Sequence, residues 1–458
     1  MKNRLIFGFI TVTTVIMLGL TMQAGELFSM GTRPREQSKS QVEEKKPSAS
    51  ELPKTIELLI NEVLVNNPEL KFYKAEIEVA KGLRKTAGLW SNPEVSGSIG
   101  QKKVTGSSDE GESTSQKGIA HSITVTQTLE WPGRIRLRKA IAARDIEVAE
   151  LELEQFRALL IARTKVSAYI FTASQQAAAA TLEVADHFHS LREVLIKRDQ
   201  AGMTPLLEMR IIEAMEINIQ KRASEALLAS NAAAFDLNQL RGAAPDAAIP
   251  LAKVNLKFLP LNEKRKELIE SARQNDYQVR LRTLELEQQG YAVKLEKNKR
   301  FPAITAGPSI SQERAGDKER IIGAAISLPL PLWDRNQGNV TVAKAQQTQA
   351  EISFDIAQRN AERRAVETAA IYETKLKEMT HWGPDSIQHF KEAAELADRH
   401  YRLGSVPVST YVDLQSQYLD TIAGLQDTNK EALEAAMQLE IMTGLSLPLV
   451  VVEVEEAK

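Results

Sequence analysis

The side chains that could bind metal or transfer protons are scattered along this chain. His187 and His189 lie two residues apart, which on a helix places them on different faces. Met203, Met209 and Met215 recur every six residues, which spreads their soft sulfur atoms around a helix. These spacings favour surface or packing positions, so we predict neither a metal site nor a cofactor. The same holds for three further histidines, His381, His389 and His400.

Several chemical classes are excluded by what the sequence lacks. It contains no catalytic constellation and no Gly-rich phosphate loop, so we predict that the protein is not an enzyme and that a partner supplies energy. The 58 basic and 60 acidic residues give a net charge of −2, which does not indicate nucleic-acid binding. With no Cys, the chain has no disulfide, no thiolate site and no cysteine for lipid attachment.

Similar motifs recur at an offset of 202 residues, which is too large for a solenoid repeat. The sequence therefore predicts a duplicated half-molecule. The matched segments are Ala201–Pro205 with Leu403–Pro407, Leu240–Gly242 with Met442–Gly444, and Thr128–Gly133 with Leu330–Arg335.

Each half contains two alternating stretches joined by a polar loop. Alternation of period two over about 9–11 residues is typical of membrane-spanning strands, although an ordinary exposed hairpin has the same pattern. The predicted strands are Glu94–Gln101, Ile119–Leu129, Ala303–Gln312 and Arg320–Leu328, with loops at 102–118 and 313–319.

Long helices follow the predicted strands. Residues 134–201 contain neither Gly nor Pro and are rich in strong helix formers, so a single helix of roughly 100 Å is expected at about 1.5 Å per residue. The counterpart runs from Gly338 towards Arg402, with a break expected at Gly383-Pro384. Gly202 and Gly404 each precede a Pro by three residues, which predicts that the chain turns back as a helical hairpin.

The N-terminus indicates export. Lys2 and Arg4 precede an apolar run, Leu5 to Leu20, which predicts a signal peptide over residues 1–24. The alternative is a transmembrane anchor, for which the run is short. A flexible N-terminus is predicted for residues 25–53. The remaining predicted segments are a first repeat (54–242, hairpin 94–129), a connector (243–260), a second repeat (261–444, hairpin 303–329) and a tail (445–458).

Four strands cannot close a barrel, because single-chain membrane barrels begin at about eight. An open edge in lipid would leave backbone groups without hydrogen bonds. Membrane strands therefore require assembly. The predicted fold is mainly α with a small β part. Three copies would give twelve strands, so that four strands per chain would contribute to a trimeric 12-stranded membrane β-barrel and long antiparallel helices would form an α-barrel around the same axis.

Taken together, the motifs resemble the TolC-like outer-membrane efflux channels over nearly all of the mature chain. The resemblance is carried by four segments, Leu129–Arg134, Leu328–Gly338, Tyr401–Ser405 with Val412–Leu414, and Leu439–Gly444. The Trp-Pro-Gly and Leu-Trp-Asp-Arg-Asn-Gln-Gly forms are most similar to the heavy-metal branch, whose members are CusC-like or CzcC-like. Many members of that branch carry a lipidated Cys, and this chain does not.

The resemblance implies a passive homotrimeric conduit in the outer membrane of a Gram-negative bacterium, extending into the periplasm. It docks a periplasmic adaptor and an inner-membrane pump of the RND type. The cargo it implies is heavy-metal cations. A conduit for drugs or organic solutes is one alternative, and a structural coiled-coil envelope protein is another. The sequence does not identify the cargo, the pump or the adaptor.

The resemblance also implies roles for particular residues. Asp413 and, by a looser match, Glu208 would line the periplasmic entrance, although Asp413 could instead be an exposed charge paired with a neighbouring Lys or Arg. Trp131 and Trp333 would lie at the membrane interface or pack in a core. The adaptor-docking tips would comprise Gly202, Met203, Thr204, Arg402, Gly404, Ser405 and Val406.

Overall fold

The computed structural model describes residues 55–107, 113–199, 206–252, 254–383 and 386–454. All of them belong to one unit, Glu51–Lys458. The predicted signal peptide (1–24), the N-terminal segment (25–53) and the tip residues Gly202, Met203 and Thr204 lie outside the described residues. The described part is mainly helical with a small β part, which confirms the coarse fold class.

Nine helices lie within the described residues. The longest, α3, runs for 66 residues without a break, consistent with its lack of Gly and Pro. Its predicted counterpart is divided at Gly383, as expected for a Gly-Pro pair. The helices are α1 Ile56–Asn66, α2 Glu69–Ala87, α3 Arg134–Asp199, α4 Leu206–Arg241, α5 Arg265–Asn275, α6 Tyr277–Asn298, α7 Gln337–Trp382, α8 Ser386–Arg402 and α9 Val408–Thr443.

Left-handed glycines end the two returning helices. Gly242 follows α4 with φ +65°, and Gly444 follows α9 with φ +64°. The Gly444 amide donates to the Glu440 carbonyl at 2.9 Å, which satisfies one carbonyl at the helix end. Gly242 and Gly444 are also the last residues of the two predicted repeats.

Six strands form two sheets in the described residues. The larger sheet has the order β1-β2-β4-β5 with every pair antiparallel, and β3 pairs with β6 in the smaller one. The strands are β1 Glu94–Ser107, β2 Ser113–Leu129, β3 Val254–Phe258, β4 Ile304–Ala315, β5 Asp317–Ser327 and β6 Val450–Val454.

The strands of the larger sheet are longer than the sequence indicated. Pairing continues to Ser107 opposite Ser113 in the first hairpin, inside the stretch predicted as a loop. In the second hairpin the predicted loop shrinks to a turn at Gly316, which has φ +93°. The polar residues in these stretches predicted loops. Strand pairing uses backbone groups, however, and therefore tolerates polar side chains on an exposed face.

The smaller sheet was not predicted from the sequence. Strand β3 lies in the segment predicted as a connector, and β6 lies in the predicted C-terminal tail. Tyr372 on α7 is fully buried beneath this sheet, and its hydroxyl donates to the carbonyls of Leu259 at 2.6 Å and Leu449 at 2.9 Å. These bonds fix α7 to the residue that follows β3 and to the residue that precedes β6.

Apolar cores hold the helices together along their length. One core includes Leu59 of α1, Leu237 of α4 and Leu433 of α9. A second core lies nearer the turn between α8 and α9 and includes Phe188, Ile219 and Tyr411. The helical body therefore buries many large apolar side chains in these two cores, while others, such as Leu207 and Ile217, stay exposed.

Candidate functional site

The larger sheet has two chemically different faces. Residues directly opposite each other across antiparallel strands project to the same side. One such row joins Gly97, Ile123, Ile310 and Ile322 across all four strands. We call this side the apolar face. It also carries Val95, Ile99, Ile119, Val125 and Ile326, and these large side chains are exposed.

The opposite side, which we call the polar face, carries mainly small hydroxyl residues. The Ser98 and Ser122 hydroxyls lie 2.8 Å apart, and those of Thr128 and Thr305 lie 3.3 Å apart. Val104 and Ile321 are exceptions on this face. Apolar residues towards one medium and hydroxyls towards another match the alternation of a sheet with lipid on one side and water on the other.

A three-residue ion cluster lies on the polar face near the hairpin ends. Lys102 reaches past Gly118 and places its Nζ 2.7 Å from Glu313 and 2.8 Å from Glu319. The cluster links β1 to β4 and β5 across the intervening strand. Sequence reasoning missed it, because the contact depends on the register between strands that lie far apart in the chain.

The sheet passes into the helices through a joint at the end of α6. The Arg134 guanidinium, at the start of α3, donates to the Phe301 carbonyl at 2.7 Å and to the Asn298 side chain at 3.2 Å. The Asn298 amide donates to the Pro132 carbonyl at 3.0 Å. Asn336, at the start of α7, donates to the Glu296 carbonyl at 2.8 Å. Both strand-to-helix passages are thus anchored on one helix.

The two tryptophans at this joint differ in their surroundings. Trp131 stacks on Phe301 with ring centroids 4.7 Å apart and stays 38% exposed. Trp333 is 91% exposed, so it does not pack in a core of this chain. Trp131 follows the end of β2 by two residues and Trp333 follows the end of β5 by six, so both lie in the passages from strand to helix.

The turn between α8 and α9 lies at the other end of the long helices. Gly404 adopts φ +72°, its amide donates to the Tyr401 carbonyl at 2.9 Å, and the Ser405 amide donates to the His400 carbonyl at 2.8 Å. This bond pair is a Schellman cap. Arg402 is held by Asp398 at 2.8 Å, which raises the pKa of the guanidinium. Val406 packs against the second core.

An aromatic stack supports the turn from inside. Tyr411 is fully buried between Phe188, at a centroid distance of 5.1 Å, and Tyr401, at 5.3 Å. Burial raises the pKa of Tyr411. Its hydroxyl has no hydrogen-bond partner among the described residues. The stack fixes the start of α9, which carries the predicted entrance residue Asp413.

The predicted entrance residues lie near each other in the chain fold but differ in environment. Asp413 is exposed and forms no ion pair with another described residue. The ion-paired alternative for Asp413 therefore has no partner in the described part of the chain. Glu208 is half-buried near the start of α4, where its carboxylate lies 3.5 Å from the Tyr401 hydroxyl.

His189 and Met215, two of the side chains considered above as metal ligands, make other contacts in the fold. His189 lies 2.9 Å from Glu216 and Met215 packs against the second core. Among the described residues no three His, Asp or Glu side chains come together as metal ligands would. Nor does any helix in the described ranges have the length and apolarity needed to cross a bilayer.

Comparison with known proteins supports a common fold. Residues 268–445 match the model of the Outer membrane efflux protein family. The cobalt-zinc-cadmium resistance protein CzcC of Cupriavidus metallidurans is 24% identical over 304 residues, which cover 66% of this chain and 69% of CzcC.

Solved channels have the same architecture at low sequence identity. The crystal structure of CusC superimposes with a TM-score of 0.63 at 15% identity, covering 85% of this chain and 91% of CusC. The Campylobacter jejuni outer membrane channel CmeC gives a TM-score of 0.62 at 16% identity, covering 85% of each chain. The resemblance to outer-membrane efflux channels that the sequence motifs predicted is confirmed by the match of residues 268–445 to the Outer membrane efflux protein family and by the similarity to CzcC and CusC.

Proposed function

We propose that this protein is the outer-membrane channel of a tripartite efflux system, a passive conduit from the periplasm to the exterior. The observation that carries the proposal is the larger sheet. Its isoleucine-rich side faces outward without a covering layer, its hydroxyl-rich side suits water, and its strands pass directly into helices of up to 66 residues. A sheet with one lipid face joined to a long helical body suits a duct.

The conduit is a homotrimer. Strands β1 and β5 are the two edges of the larger sheet and have only one neighbour each. In lipid, an unpaired edge leaves backbone groups without partners at several kcal/mol each, so the sheet must close. Three copies give twelve strands, which exceeds the minimum of about eight for a closed membrane barrel.

The far end of the helices docks a periplasmic adaptor and, through it, an inner-membrane pump of the RND type. Helix α3 spans about 100 Å at about 1.5 Å per residue, enough to separate the docking tips from the membrane. The tips comprise the residues around Gly404 together with Gly202, Met203 and Thr204. Since the chain has no nucleotide-binding loop, the pump supplies the energy.

Asp413 and Glu208 line the periplasmic entrance. The support is the exposed, unpaired state of Asp413 among the described residues and the position of Glu208 beside the same turn. Three symmetry-related Asp413 carboxylates near the axis would attract cations and repel anions, because a narrow entrance focuses their field.

Heavy-metal cations are the cargo that the resemblance favours. The support is the similarity to a cobalt-zinc-cadmium resistance protein. An organic solute is the alternative, since a conduit need not recognise what its pump selects. Deleting the gene should sensitise cells to zinc, cobalt or cadmium and leave sensitivity to organic toxicants unchanged. The reverse pattern would assign the channel to organic efflux.

Two measurements test the conduit itself. The purified protein should form conducting pores in a planar bilayer. It should also require detergent for extraction from outer membranes. A structural envelope protein would wash off with salt and would not conduct, and that pair of results would contradict the proposal.

A further inference from the structure

Five basic side chains gather at the hairpin end of the apolar face, where Lys103 lies opposite Lys117 and Arg314 lies opposite Lys318. Arg320 lies in the next row, opposite Gln312. Ile119 of β2 lies opposite Arg314 of β4, so the basic residues of the two hairpins lie on the same face of the sheet. All five basic side chains are exposed. We call these five residues the basic patch.

The basic patch is electrostatically unbalanced within the described part of the chain. Like charges directly opposite each other on a sheet are destabilising, and the patch contains two such pairs. Among the residues that the structure describes, none of the five forms an ion pair. The nearby carboxylates of Glu313 and Glu319 project to the polar face, where they bind Lys102. An external anion would relieve this repulsion.

The basic patch borders directly on exposed apolar side chains. The row after Arg320 contains Ile123, Ile310 and Ile322. From Ile123, in the first row beyond the basic patch, to Leu129 the apolar band spans about 20 Å along β2 at about 3.4 Å per residue. This is about 16 Å across a membrane at a strand tilt of about 40°. The basic patch therefore marks one boundary of the band, and Trp131 marks the other.

We propose that the basic patch binds the phosphate groups of a phosphorylated glycolipid in the outer leaflet, while the acyl chains of that lipid cover the isoleucines. Lys and Arg are the usual partners of phosphate, and Arg binds it through paired N–H donors. The continuity of basic and apolar residues selects an amphipathic ligand over a free phosphate ion. This inference rests on the proposed function, which places the hairpin ends at the outer surface.

Lys102 supplies a control within the same strand. It neighbours Lys103 in sequence but projects to the opposite face, where two carboxylates satisfy it. Because side chains alternate between the two faces of a strand, these adjacent lysines have different surroundings. Lys102 fixes strands inside the sheet, and Lys103 is available to lipid.

The test compares two variants with equal loss of charge. The first carries Lys103→Gln, Lys117→Gln, Arg314→Gln and Lys318→Gln. The control carries Lys71→Gln, Lys74→Gln, Arg84→Gln and Lys85→Gln on the exposed surface of α2. Binding of diphosphoryl lipid A and of its dephosphorylated form to the full-length protein in detergent is measured by native mass spectrometry, and planar-bilayer conductance is recorded on the same preparations.

The unmodified protein and the control should bind the phosphorylated lipid at least tenfold more tightly than the dephosphorylated one, and the patch variant should lose that preference. Equal binding of both lipids by the unmodified protein would show that the basic patch does not recognise phosphate, and would overturn the proposal. Displacement of the lipid by millimolar inorganic phosphate would overturn the choice of a lipid ligand.

Conductance separates this inference from the proposed function. An unmodified protein that conducts but binds both lipids equally contradicts only the lipid site. A protein that neither conducts nor enters bilayers contradicts the conduit on which the site depends. A patch variant that conducts normally while losing the phosphate preference supports both.

Discussion

The helical body contains buried apolar cores, whereas the larger sheet buries no large apolar side chain among the described residues. In the body, Leu59, Phe188 and Leu433 are almost completely buried. In the sheet, Ile99 is 88% exposed and Ile326 is 74% exposed. A water-soluble protein rarely exposes a contiguous apolar surface of this kind. The difference supports the proposed conduit, in which the sheet meets lipid and the helical body stands in water.

The difference in solvent between the two regions is tested most directly at the centre of the apolar face. Ile123→Arg should abolish stable insertion, because Arg near the bilayer midplane costs about 2–4 kcal/mol in each chain. Ser122→Arg, on the adjacent polar face, should insert far better. The amount of each variant in detergent-extracted outer membranes measures the effect. Equal loss for both variants would mean that the two faces do not meet different solvents.

The helical body should instead respond to lost hydrogen bonds. Tyr372→Phe removes the donor shared by the Leu259 and Leu449 carbonyls and should cost about 1–3 kcal/mol of unfolding free energy. Tyr411→Phe should be nearly neutral, because that buried hydroxyl has no partner among the described residues. Denaturant midpoints compare the two. A larger loss for Tyr411→Phe would contradict this assignment of the body's polar contacts.

The turn at Gly404 tests whether the end opposite the sheet has a separate task. Gly404→Trp forces a bulky residue into a left-handed conformation that costs about 1–2 kcal/mol, so adaptor docking should weaken about tenfold. Barrel assembly should persist. Gly82→Trp, at an exposed helical glycine with open space around its Cβ position, serves as control. Unchanged adaptor cross-linking and efflux in the Gly404 variant would remove this turn from the docking surface.

The smallest effect is expected at the entrance. Asp413→Asn should lower the cation-to-anion permeability ratio by about two- to threefold and weaken block by multivalent cations, because it removes charge from a focused field. Asp420→Asn on the same helix should change neither the permeability ratio nor the block, since Asp420 is paired with Arg222 at 2.8 Å. Single-channel recordings provide both values. Unchanged selectivity and block for Asp413→Asn would place the gate elsewhere.

Sequence reasoning succeeded where the structural signal is local. The absence of Gly and Pro predicted the unbroken α3, and Gly383 with its following Pro predicted the division between α7 and α8. Alternation located all four strands of the larger sheet, although polar residues at their ends were read as loop. These features depend on backbone conformation within a few residues, so a single sequence can indicate them.

The sequence did not predict the features that depend on pairing between segments far apart in the chain. Strands β3 and β6 are short, and each gains its hydrogen bonds only from the other, far along the chain. The Lys102 cluster and the basic patch depend on the register of β2 against β4, which alternation alone does not specify. Of the two predicted entrance residues, Asp413 is exposed and Glu208 is half-buried in the structure. Their roles remain predictions.

The closure of the sheet by three copies is the central claim, and the molar mass of the protein in detergent tests it most directly. Light scattering with the detergent contribution subtracted should give about three times the mass of one chain, because twelve strands close without a lipid-exposed edge. A monomer or dimer that keeps a stable, membrane-extracted sheet would contradict the account, since β1 and β5 would then stay unpaired in lipid.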